Sequence, residues 1–131
     1  MSSIIKPNQT ADNKDKMSAP STDPALDREL ALARVGGDVD LLKEIAGLFL
    51  EEYPKVLEEL RAAAGRGDAR SVERTAHGLK GSVANFGADA AVEAARMLEA
   101  MGRAQRLEEA PQVMHTLELA LAALGTELAA L

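Results

Sequence analysis

The chain has 131 residues, two histidines, no cysteine and a formal net charge of −6. That length suits one domain, and the lack of cysteine excludes disulfides, thiolate metal sites and thiol nucleophiles. The acidic balance argues against a protein that grips nucleic acid through a basic surface, and no apolar run approaches the ~20 residues needed to span a bilayer.

Phe49, Tyr53 and Phe86 are the aromatic residues, Ala and Leu are abundant, and β-branched residues are few. This is the composition of an all-α protein with closely spaced helices. The N-terminus lacks the apolar core of a secretory signal, so the chain reads as cytoplasmic.

Residues 1–22 mix Ser, Asn, Asp, Lys and Pro with little apolar surface and read as a disordered tail or linker. Order is expected from residue 23 to residue 131. Thr22-Asp23-Pro24 offers a helix start, Leu26, Leu30 and Val35 supply an apolar edge, and Gly36-Gly37 ends this short first helix. Asp38 then caps a long segment in which Leu41, Leu42, Ile45, Leu48, Phe49, Leu57 and Leu60 recur at helical spacing. Pro54 lies inside it, and because the apolar stripe resumes at Val56 and Leu57, one bent helix is predicted rather than two.

Gly65-Arg66-Gly67-Asp68 reads as a turn ending in a cap, and a helix is predicted from Ala69 to about Asn85, with Gly87 beyond it. Asp89 opens the next helix, whose inward candidates are Val92, Ala95, Met97, Leu98 and Met101, closed by Gly102. The last helix carries Leu107, Val113 or Met114, Leu117, Leu121, Leu124 and Leu128, with Pro111 in its first turns. Four substantial amphipathic helices on short connections predict an antiparallel up-down four-helix bundle with a short additional N-terminal helix. There is no Gly-rich phosphate loop or dinucleotide fingerprint, so nothing points to an autonomous ATP or NAD enzyme.

In the helix from Ala69, residues Val72, Ala76, Leu79, Val83 and Phe86 fall on one stripe. His77 projects roughly 140° from the centre of that stripe, with Gly81 and Ala84 near it on the wheel and Lys80 about 60° away. An exposed imidazole is thus followed at i+3 by a cation and at i+4 by a residue with no side chain. A neutral imidazole is nucleophilic near neutral pH, Lys80 can offset the charge of a phosphoryl group on it, and Gly81 leaves a gap for a partner's approach. Gly78 and Gly81 each cost roughly 0.8–1 kcal/mol against Ala in a helix interior. Close packing is a sufficient reason for Gly78, but Gly81 lies nearly opposite the core stripe, where access for a partner fits better.

The run Ala76-His77-Gly78-Leu79-Lys80-Gly81-Ser82-Val83-Ala84-Asn85-Phe86-Gly87 resembles the phosphoacceptor motif of histidine phosphotransfer (HPt) domains. Helix lengths, the Gly-Asp turn and the apolar spacing from about Leu26 to Leu131 resemble that family as well. The resemblance implies a relay that passes a phosphoryl group between receiver aspartates through His77. Lys80 would assist the phosphoryl group, and Gly81, Ala84, Gly78, Ser82 and Asn85 would meet the partner. Larger polar residues are common in the family where this chain has Gly78, a departure that bears on partner choice. The implied partners are a response-regulator receiver domain and a hybrid sensor histidine kinase. No cofactor is implied for the chain itself, Mg²⁺ being expected on the receiver, and the chain is expected to be monomeric, with no nucleic-acid or membrane partner.

Other readings of the same residues are blander. An exposed histidine taken alone is usually a surface residue, and the motif helix could dock a signalling partner as a phosphate-independent adaptor. A third reading has an ATP-dependent kinase domain, rather than a receiver, as the phosphoryl donor. His115 has neither cation nor glycine at the matching positions and reads as surface filler. Glu51-Glu52, Glu58-Glu59 and Glu108-Glu109 read as solvated helix faces, and Met97, Met101 and Met114 as core filling.

Overall fold

The computed structural model describes residues 24–131, which form five α-helices and no strand. The expected tail over residues 1–22 lies outside them. The helices are α1 (Arg28–Arg34), α2 (Val39–Gly65), α3 (Ala69–Ala84), α4 (Asp89–Ala104) and α5 (Ala110–Ala129). Contacts join α2 to α3, α3 to α4, α4 to α5 and α5 back to α2, so the four long helices close into an antiparallel bundle with α1 laid against α2.

Aspartates start three of these helices. Asp27, Asp38 and Asp68 accept hydrogen bonds from the backbone N–H of Leu30, Leu41 and Ser71 at 3.1, 3.0 and 3.1 Å. Each satisfies one donor that a helix N-terminus would otherwise leave open. The first helix begins at Arg28 with Asp27 as its cap; of the expected start at Thr22-Asp23-Pro24, Thr22 and Asp23 lie outside the described residues and Pro24 is not helical. The reason is tertiary: the N–H groups of Ala25 and Leu26 donate to the Glu127 carboxylate of α5 at 2.8 and 3.0 Å, and Asp27 N–H donates to the Phe86 carbonyl at 2.8 Å. Those bonds tie the bent segment before α1 to α5 and to the end of α3.

α2 stays one helix through Pro54. Its buried stripe is Leu42, Ala46, Phe49, Leu57, Leu60 and Ala63. Leu41 and Leu48 sit one residue off that stripe, about 100° around the helix, and are 39% and 60% exposed, so the wider core face expected for α2 is too generous. Phe49 stacks on Tyr53 with ring centroids 5.4 Å apart and meets Phe86 edge-on at 5.3 Å, which joins α2 to the end of α3. α5 starts with Pro111 in its first turn and buries both Val113 and Met114.

α4 departs most from expectation. Its interior face is Ala91, Ala94, Ala95, Leu98, Glu99 and Gly102, while Met97 is 39% exposed rather than core filling. Gly102 does not end the helix, which continues to Ala104 and closes at Gln105 in the left-handed conformation (φ 58°). A Cβ on Gly102 would lie 2.6 Å from the Ala69 carbonyl oxygen and 2.6 Å from Glu73 N. The glycine is there because the backbones of α4 and α3 touch. Small residues along α4 make α3–α4 the most intimate pair in the bundle.

Candidate functional site

Val72, Ala76, Leu79 and Val83 anchor α3 in the core, each no more than 3% exposed. The opposite side of α3 then faces water, and the His77 side chain is 69% exposed. The imidazole is not loose. His77 Nδ1 lies 2.8 Å from Glu99 Oε2, and Lys80 Nζ donates to Glu99 Oε1 at 2.7 Å. Arg103, one turn beyond Glu99 on α4, donates to Oε2 at 2.9 Å and to Glu73 of α3 at 3.0 Å.

Glu99 is 5% exposed, the one charged or polar residue counted as buried among the described residues. An isolated buried carboxylate would protonate, but this one has three donors around it. Lys80 above all, and His77 with it, pull its pKa from 4.5 down to about 2 against the opposing effect of burial. Glu99 is therefore ionised at neutral pH and can only accept. It follows that Nδ1 of His77 carries the proton facing Glu99, and in the neutral ring Nε2 holds its lone pair toward solvent. A carboxylate–imidazole contact of this kind orients a nucleophile and stabilises positive charge that develops on the ring.

Both glycines of the motif stand in the open. A Cβ added to Gly78 or Gly81 would meet nothing within 4 Å, so close packing, the plain explanation for Gly78, does not apply. Two depressions flank the His77 ridge. Toward α4 lies a cleft of about 430 Å³ lined by Arg70, Glu73, Arg74, His77, Glu99 and Arg103. Toward α2 lies a groove of about 310 Å³ in which Phe49, Tyr53, Val56, Gly78, Leu79 and Ser82 take part.

The structure brings His77 and Lys80 together on one carboxylate, and places Gly81 and half-buried Ala84 along the same side of α3. Ser82 donates its hydroxyl to the Gly78 carbonyl at 3.3 Å, and Asn85 accepts from Arg34 of α1 at 3.4 Å. Those two point to helix closure and to α1 rather than to the imidazole. Glu99 and Arg103 escaped the sequence reading. The available signal was a lone carboxylate four residues after Ala95, inside the apolar arc of α4, with a cation at i+4. His115 is exposed on α5. Among the described residues no cluster of His, Asp and Glu is arranged to hold a metal ion, and no helix is long and apolar enough to cross a membrane.

The chain is thus an all-helical bundle whose outer face presents one imidazole held by a buried carboxylate. No curated protein is significantly similar to the chain. The Hpt domain family model matches residues 44–127. The chain is also similar to the crystal structure of histidine-containing phosphotransfer protein B (HptB) from Pseudomonas aeruginosa PAO1. That likeness has a TM-score of 0.75 and 26% identity, over 82% of this chain and 93% of that one. The chain belongs to the Hpt domain family, whose work is histidine phosphotransfer in phosphorelays, as intermediates rather than kinases.

Proposed function

We propose that this chain relays a phosphoryl group between receiver aspartates through His77. The observation that carries the reading is the bond between His77 Nδ1 and ionised Glu99, which leaves Nε2 directed outward as a nucleophile. The Nε2 lone pair attacks phosphorus of the acyl phosphate on a receiver aspartate. The N–P bond forms as the P–O bond to the carboxylate breaks, and that carboxylate departs with the electron pair. The ring keeps its Nδ1 proton and becomes positively charged, and Glu99 at 2.8 Å offsets that charge. Lys80, held 2.7 Å from Glu99 and one turn on from His77, supplies the positive charge that offsets the phosphoryl oxygens. The reverse attack by a second receiver's aspartate returns the ring to neutrality.

Phosphoryl transfer depends mostly on position and charge, so a receiver that brings its own carboxylates and Mg²⁺ supplies what this chain lacks. Gly78 and Gly81 leave the approach to His77 clear, with Ala84, Ser82 and Asn85 further along α3 as contacts for the receiver. A hybrid sensor kinase is the upstream donor, and the chain acts in the cytoplasm as a monomer with no nucleotide site of its own.

The test is to incubate the chain with a phosphorylated receiver domain, beside His77→Gln, and record intact masses at neutral and acidic pH. One phosphoryl group on the wild type alone, lost in acid, is the expected result. No adduct on the wild type across several receivers rejects the relay in favour of a phosphate-independent adaptor, and an adduct that survives in His77→Gln rejects His77 as the phosphoacceptor.

A further inference from the structure

The exposed side of α3 is electrically uneven. Arg70 and Arg74 precede His77, whereas Gly78, Gly81, Ser82, Ala84 and Asn85 follow it, and the one cation among them, Lys80, is committed to Glu99. In the cleft toward α4, Arg103 bonds both Glu73 and Glu99. Among the described residues neither Arg70 nor Arg74 has a carboxylate partner; Arg74 makes one long bond, 3.4 Å, to the Ser71 hydroxyl. Two guanidiniums without an ion pair therefore stand beside the imidazole of a chain whose net charge is −6, with Glu73 lining the cleft and Glu52 and Glu59 the groove.

Their position also runs against the local electrostatics of the helix. α1, α2 and α4 carry Glu29, Asp40 and Asp89 in their first turns, where a negative charge suits the helix dipole. The first turns of α3 and α5 have no acid, and that of α3 carries Arg70. Among the described residues Arg70 makes no ion pair, and the acid at this helix end is the Asp68 cap. Arg74 borders both the cleft toward α4 and the groove toward α2 that Gly78 opens, so it can be reached from either side of the ridge.

We infer that Arg70 and Arg74 form a docking site for an acidic protein surface next to the partner's phosphorylated aspartate. The pair would fix the direction in which a receiver lies along α3, its acidic side over the N-terminal half and its uncharged side over Gly78, Gly81 and Ser82. This rests on the phosphotransfer reading above. A free polyanion fits less well than a protein surface, because Glu73 and Glu99 line the same cleft and would repel an anion that entered it. Carboxylates fixed on a partner can reach the outer guanidiniums without entering.

The experiment times transfer from a phosphorylated receiver domain to the chain over a range of receiver and salt concentrations. The variants are Arg70→Gln/Arg74→Gln, Arg70→Glu/Arg74→Glu, and Lys43→Gln/Arg106→Gln as an equal charge change elsewhere. At low ionic strength the neutralised pair should lower the second-order rate about tenfold, mainly through KM, and the reversed pair should lower it further. The salt dependence should flatten in the neutralised pair, and the control should stay within about twofold of wild type. A neutralised pair with the wild-type rate and salt slope, or a control that loses as much, overturns the inference. A wild type that accepts nothing from any receiver removes the phosphotransfer reading and this inference with it, whereas transfer indifferent to both arginines removes this inference alone.

Discussion

Glu99→Gln keeps the shape of the side chain and deletes the charge on which three partners converge. The wild-type carboxylate is 5% exposed and has its pKa drawn from 4.5 to about 2, chiefly by Lys80 and then by His77, with burial opposing. At 1.36 kcal/mol per unit this depression corresponds to about 3 kcal/mol of preference for the ionised folded state. Lys80 and Arg103 keep part of their side chains in water, 31% and 63% exposed, and rehydrate when released. Solvent screening of that kind reduces the expected loss to about 2 kcal/mol. For a domain of this size the cost is a fall of about 10 °C in Tm, read by circular dichroism at neutral pH. The sign of the pH dependence follows from the direction of the shift. A folded pKa below the unfolded one gives stability that is complete above about pH 5 and disappears as pH falls toward about 2. The gap between wild type and variant should therefore close over that range. Equal stability at neutral pH, or a gap that persists unchanged at about pH 2, refutes the reasoning.

Five further substitutions separate packing from access and charge. Gly81→Ala and Gly78→Ala put a methyl into open space, so each should raise stability by about 0.8 kcal/mol in denaturant titrations. Gly81→Leu should slow transfer from a receiver while the fold is retained, and a rate equal to wild type would deny the access role. Gly102→Ala should act in the opposite sense to Gly81→Ala, losing about 1–3 kcal/mol, because its methyl meets backbone of α3 that cannot rotate away. An unchanged denaturation midpoint would contradict the close approach of the two helices. Lys80→Ala removes the 2.7 Å partner of Glu99 and should slow transfer by at least about tenfold at saturating receiver, measured in single-turnover quench experiments.

What could be read without coordinates was what one helix determines for itself. The stripe Val72, Ala76, Leu79, Val83 and Phe86 fixes which side of α3 is buried, and that alone turns His77 outward. The caps at Asp38 and Asp68 were equally local, since a carboxylate reaches a backbone N–H three residues on. What needed the structure was set between helices. Gly102 has the usual look of a helix stop, and only the approach of Ala69 and Glu73 gives it another meaning. Thr22-Asp23-Pro24 has the usual look of a helix start, but Ala25 and Leu26 just after it donate to Glu127, about a hundred residues away, and α1 waits for the cap at Asp27.

Glu99 and Gly102 are two consequences of one arrangement. They sit three residues apart on α4, on the side that meets α3, and both bear on the level at which His77 stands. A backbone separation small enough to forbid a Cβ at Gly102 also brings a glutamate on α4 within hydrogen-bond reach of an imidazole and an ammonium on α3. A larger residue at Gly102 would push the helices apart and lengthen those bonds, so the close packing and the held imidazole depend on each other. The bundle thus gives a solvent-facing histidine what exposure ordinarily denies it, a fixed tautomer and a fixed direction, which the proposed relay would use.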